Sequence, residues 1–199
     1  MARAAAYDRD AALDTALSLF WDKGYHATSL KDLETGLKMK PGSIYAAFSS
    51  KENLYLLAMA RYFETARVML ERQLLHSLSP LDALADHLRS YARLSQGDAN
   101  RQACMLTKSL VDTRSTDPAI AGQAKDYLFQ IREIFSAAFD RAKKLGELPQ
   151  SADQDRLARR FQANVTALRF ELHQNASSQS IENLAEDMAQ EIEHLRTGT

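Results

Sequence analysis

The chain has 199 residues, 45% hydrophobic and 26% charged, with a formal net charge of −1. That mixture is ordinary for a globular domain, and the near-neutral balance excludes a protein that holds nucleic acid by overall charge. Seven glycines and four prolines are few for this length, which disfavours a turn-rich β protein and favours long helices on short connections.

The opening MARAAAYDRD has no apolar run and does not read as a signal peptide. No segment approaches the roughly 18–20 uninterrupted apolar residues that span a bilayer, so no membrane association is expected. Cys104 is the single cysteine and can form no intrachain disulfide, which fits a reducing, cytoplasmic setting. The five histidines (His26, His76, His87, His173 and His194) lack metal-ligand spacing, and no metal or cofactor is expected.

Helical periodicity runs through almost the whole chain. Residues 8–23 predict a first helix with Ala12, Leu13, Ala16, Leu17 and Phe20 on one face, stopped by Gly24. Thr28 or Ser29 caps a second short helix with a Leu30, Leu33 and Leu37 stripe. A third begins near Lys40, with Pro41 in its first turn, and carries Ile44, Tyr45 and Phe48. Ser49 or Ser50 caps a fourth helix over 51–77, and Ser79-Pro80 starts a fifth bearing Leu81, Leu84, Leu88, Tyr91 and Leu94. Residues 97–100 form a loop, 102–113 a sixth helix, and Asp117-Pro118 opens a seventh that runs to about residue 144. The eighth and ninth cover 153–174 and 179–196. Nine helices with no credible strand predict an all-α fold: a three-helix head at 1–50 and a helical body at 51–199.

Two short helices joined by a tight turn, the second presented outward, form a major-groove reader. Leu33, Leu37, Met39 and Ile44 are spaced to pack such a pair, with Lys38-Met39 as the turn. This register predicts a left-handed Lys38, at a cost of about 1 kcal/mol for a residue with a side chain. Shifting it to use Gly36 spoils the apolar packing. Lys40, Pro41, Ser43, Ala46 and Ala47 face outward on the third helix. Thr28 and Ser29 at the start of the second helix, Tyr45, and Lys51 are candidate phosphate contacts. Lys40 and Ser43 are candidate base contacts, and Arg3 a minor-groove contact. No Arg, Asn or Gln lies on the third helix to make a bidentate base contact. Residues 28–51 hold four lysines against two carboxylates, net +2, so one copy binds weakly and a dimer is the natural remedy.

In order and spacing, Gly24-Tyr25, Thr28-Ser29, Tyr45 to Phe48 and Ser50-Lys51-Glu52 make residues 13–57 resemble the DNA-binding head of the TetR family. The resemblance departs at Lys38, where the turn glycine usually stands, and at Glu34, where a small residue is expected. It implies a regulator, expected to be a repressor, that binds double-stranded operator DNA as a homodimer and is released by a small-molecule effector. It also implies that the body forms an effector-binding and dimerisation domain, with a pocket among the fifth to eighth helices. Leu84, Leu88, Tyr91, Met105, Tyr127, Ile131, Phe135 and Phe161 are its candidate lining, with His87 and Lys108 as polar anchors. The last two helices are amphipathic, and two from each partner make a four-helix interface. Leu157, Val165, Leu168, Leu172, Ile181, Leu184, Met188 and Ile192 are its candidate residues.

Two other classes compete. A helical ligand-binding or scaffold protein with a silent head fits the modest local charge. An all-α enzyme lacks support: there is no glycine-rich phosphate loop, nucleophile signature or carboxylate pair at metal-binding spacing.

Overall fold

The computed structural model describes residues 8–95, 97–98 and 103–196. Arg3, part of the 97–100 loop and the start of the expected sixth helix lie outside the described residues. Among those described, the regular structure is helical: α1 (Arg9–Lys23), α2 (Leu30–Leu37), α3 (Pro41–Phe48), α4 (Lys51–Leu74), α5 (Pro80–Ala92), α6 (Met105–Thr113), α7 (Pro118–Lys144), α8 (Gln154–His173) and α9 (Ser178–Glu193). None is long and apolar enough to cross a membrane.

Local chemistry sets the boundaries. The Asp8 carboxylate accepts from the N–H groups of Asp10 and Ala11 at the start of α1, and Gly24 closes that helix at φ +83°, a conformation that favours glycine. Ser79, Asp153 and Ser177 cap α5, α8 and α9 through their side chains. Helix α4 stops at Leu74, short of the expected residue 77. There the Ser77 hydroxyl donates to the Ser79 carbonyl and accepts from the Ser79 N–H, a local turn that competes with the helix.

The chain divides into two compact units. The first holds residues up to 65 together with 105–127, so it includes α1 to α3, the start of α4, and α6. Its core contains Phe20, Leu33, Ile44, Phe48, Leu54, Tyr55, Met59, Met105 and Leu106. Lys108 on α6 donates to the carbonyls of Trp21 and Asp22 at 2.5 and 3.2 Å, satisfying acceptors that the end of α1 leaves open. The first unit therefore extends past the boundary expected at residue 50 and takes in residues 105–127 as well.

Helices α1 and α2 approach closely at Gly36, where a Cβ would stand 2.6 Å from Leu19 Cδ1. This glycine serves helix packing and takes no part in the turn.

The second unit holds 66–104 and residues from 128 onward. Helix α5 packs on α9 and α8 around Leu81, Leu84, Leu88, Phe135, Phe139, Phe161, Leu168, Leu172, Ile181 and Ile192. Arg89 on α5 holds two carboxylates of α9, Glu186 at 2.7 Å and Glu193 at 2.6 Å. That hydrogen bonding, with help from Gln190, brings the Glu186 carboxyl down to about 2.

Candidate nucleic-acid interface

The helix-turn-helix is assembled by caps at one end and buried apolar residues at the other. Ser29 is the N-cap of α2: its Oγ accepts from Asp32 N–H, and Asp32 Oδ2 accepts from Ser29 N–H at 2.8 Å, a reciprocal capping box. Asp32 also pairs with Lys23 at 2.6 Å. Lys23 first, and Ser29 after it, hold that carboxyl well below the usual range. Lys38 ends α2 at φ 52°, ψ 37°, the left-handed conformation that the unshifted register requires. Pro41 then occupies the first turn of α3, where its missing N–H costs no bond.

Met39, Ile44 and Phe48 are buried, which turns the opposite face of α3 outward. Lys40, Ser43 and Ala46 are exposed, Tyr45 is 45% exposed, and Pro41 and Ala47 are half-buried. Apart from Lys40 and Tyr45, the side chains on this outward face are short.

Three expected phosphate contacts are placed otherwise. Thr28 is fully buried, and its hydroxyl donates to the Gly24 carbonyl at 2.7 Å, closing the loop after α1. Its role is structural because no oxygen is left facing solvent. The Ser29 hydroxyl donates to Asp32 Oδ2 at 2.6 Å, so the capping box occupies it. Lys51 is half-buried, with its ammonium 4.6 Å from the centre of the Tyr25 ring, a cation–π contact. Burial lowers the Lys51 pKa, opposed by the charges of Asp117 and Asp32.

The ten expected pocket residues do not gather in one unit. Met105, Lys108 and Tyr127 belong to the first: Met105 is buried, Lys108 serves the end of α1, and Tyr127 stacks on Phe63 at 4.2 Å. The other seven belong to the second unit. There Leu84, Leu88, Phe135 and Phe161 are sealed in the core, while Ile131 is partly buried against it. His87 Nδ1 lies 3.1 Å from Gln73 Oε1 and Nε2 lies 3.4 Å from the Tyr91 hydroxyl. Since an amide oxygen only accepts, Nδ1 carries the proton and Nε2 receives from Tyr91. Burial first, and the Arg169 charge second, push His87 down to about 4, which keeps it neutral.

The expected dimer stripe is largely used within the chain. Leu168, Leu172, Ile181 and Ile192 are buried in the second unit's core, and Leu157, Val165, Leu184 and Met188 pack partly buried against it. Periodicity correctly marks an apolar face but cannot say which partner covers it. The outward face of α8 carries Arg159, Arg160, Ala163, Thr166, Ala167 and Phe170, the last 57% exposed.

Sequence reasoning passed over several residues that shape the head. Asp32 was legible, since Ser-x-x-Asp at 29–32 is a capping-box spacing. The role of Lys108, expected instead as a pocket anchor, and that of Ser109 were not, because their partners Trp21 and Tyr55 lie 87 and 54 residues away. Arg9 stands over the Phe48 ring at 5.2 Å, a contact that no local pattern signals.

This arrangement is that of an all-helical helix-turn-helix protein. The model for bacterial regulatory proteins of the tetR family matches residues 12–58. The HTH-type transcriptional repressor ComR of Escherichia coli (strain K12) is 29% identical over 185 residues, covering 92% of this chain and 88% of that protein. The HTH-type transcriptional regulator YezE of Bacillus subtilis (strain 168) is 27% identical, covering 84% of this chain and 91% of its own. Among solved structures, a TetR-family regulator from Cytophaga hutchinsonii superposes with a TM-score of 0.82 at 16% identity, covering 96% of each chain. A cysteine-substituted form of the regulator CifR, solved with 26-base-pair operator DNA, gives 0.84 at 24% identity, over 94% of this chain and 98% of that one. Residues 12–58 thus match the tetR family model, and over most of its length the chain is similar to transcriptional regulators of that family.

Proposed function

We propose that the protein is a transcriptional repressor that grips operator DNA as a homodimer and releases it when a small-molecule effector binds the body. The observation that carries this reading is the exposed face of α3. Ile44 and Phe48 anchor the helix while Lys40, Ser43, Tyr45 and Ala46 point away from the core. Short side chains let such a helix lie deep in a major groove, with Lys40 and Ser43 at base edges and Tyr45 at a phosphate. The name of the relative ComR and the DNA complex of CifR support the same assignment.

Dimerisation supplies what one head lacks, since a two-fold dimer places two reading helices about 34–36 Å apart. We assign the contact to the outward face of α8, where Ala163 and Ala167 permit close helix approach beside exposed Phe170. For the effector, the Gln73 amide, whose oxygen accepts from His87, keeps its own N–H donors for a ligand group. The effector lowers operator affinity by favouring a dimer conformer whose head spacing does not fit DNA.

The test is a salt series of binding to the region upstream of the protein's own gene, against a scrambled duplex. Sequence-preferring binding that weakens in Lys40→Ala and Tyr45→Phe, but not in Thr28→Ser, is expected. Equal affinity for both duplexes at every ionic strength would overturn the assignment.

A further inference from the structure

We propose that Arg9, on the first turn of α1 and outside the helix-turn-helix, is a DNA phosphate contact that fixes the angle of α3 on the duplex. This rests on the DNA-binding reading and adds to it a contact outside the TetR-like motif. Arg9 is exposed, and its guanidinium lies 5.2 Å from the ring centre of Phe48, the last residue of α3. A guanidinium held over a ring keeps N–H donors free for a bidentate partner such as a phosphodiester. The ring orients the charge, and because Phe48 is buried, that orientation is fixed to α3 itself.

A second observation brings the same end of α1 to the reading surface. An open groove of about 650 Å³ is lined by Asp8, Ala11 and Thr15 from the α1 side and by Lys38, Lys40 and Ser43 from the turn and α3. The first turn of α1 therefore borders the same open space as the proposed base contacts.

Nearby carboxylates do not claim Arg9. Asp8 accepts from backbone N–H groups at 2.9 and 3.2 Å, while Asp10 and Asp14 pair with Arg61 at 3.0 and 2.5 Å. Arg9 makes no ion pair among the described residues. Its charge is available where the Thr28 and Ser29 hydroxyls are already occupied.

The experiment is fluorescence anisotropy with the full chain and two labelled duplexes, one from the upstream region and one scrambled, from low to high salt. Each phosphate neutralised contributes about 0.9 to the slope of log affinity against log salt. Arg9→Ala removes one contact from each head of the dimer, so it is expected to lower that slope by about 1.8 on both duplexes and to weaken binding about sixtyfold near 0.1 M salt. Arg9→Lys keeps the slope, since the charge remains, but binds less tightly than wild type because it loses the planar fork. An unchanged slope in Arg9→Ala, with wild type still preferring the upstream duplex, overturns the inference alone. Failure of wild type to prefer that duplex overturns the DNA-binding reading and this contact with it.

Discussion

The Tyr55 hydroxyl lies 2.7 Å from Ser109 Oγ in the buried interior of the first unit. Ser109 has one hydroxyl proton and donates it to the Met105 carbonyl at 2.7 Å, so Tyr55 is the donor between them. The bond ties α4 to α6. Tyr55→Phe leaves a buried acceptor one partner short and is expected to cost about 1 kcal/mol, read as a lower urea midpoint with unchanged slope. A midpoint equal to wild type would show the bond to be energetically idle.

Lys38 holds a left-handed backbone at the helix-turn-helix corner. The side chain makes that conformation cost about 1–2 kcal/mol, while glycine returns part of the gain through its freer unfolded chain. Lys38→Gly should therefore raise stability by about 0.5–1 kcal/mol, visible as a higher melting temperature. A destabilised variant would mean that the lysine side chain contributes more than the turn strain removes.

His87 is neutral in the fold, with a pKa pushed to about 4, against about 6.5 in an unfolded chain. Its folded value is depressed, so its contribution is complete above pH 6.5. As pH falls toward 4 the unfolded chain takes a proton that the folded chain refuses, and stability is lost. Between pH 7 and pH 5 the loss from this residue should be about 2 kcal/mol. Glu186, brought down to about 2 by Arg89, keeps its charge throughout that window. In urea titrations, His87→Leu should show a correspondingly flatter dependence; parallel curves for the two proteins would sink the assignment.

Phe170 is exposed on α8 beside Ala163 and Ala167. Phe170→Glu places a charge on the proposed dimer face without touching the core, so sedimentation should shift from dimer toward monomer while the helical circular dichroism stays. Leu184→Ala, partly buried against the chain's own core, should lower stability and leave the association state alone. A variant Phe170→Glu that sediments like wild type would move the interface elsewhere.

The helices themselves were legible because their signals are local. Asp8, Ser79 and Asp153 cap within three residues of the N–H groups they serve, and the apolar spacing of Leu33, Met39 and Ile44 set the turn register that put Lys38 in its left-handed state. Gly36 illustrates the limit: its sequence position suggests a turn, but its role comes from Leu19 on another helix.

What the sequence by itself determined is the all-α build, the order of its helices and the helix-turn-helix with its outward α3. Each follows from residues at most four apart or from short caps. Only the tertiary structure decided which polar atoms remain available and which apolar faces are already covered. It buried Thr28, engaged Ser29 with Asp32 and set Lys51 on Tyr25. It also drew Leu168, Leu172, Ile181 and Ile192 into the chain's own core. The physical reason is that hydrogen-bond satisfaction and burial depend on partners dozens of residues distant, which periodicity cannot locate.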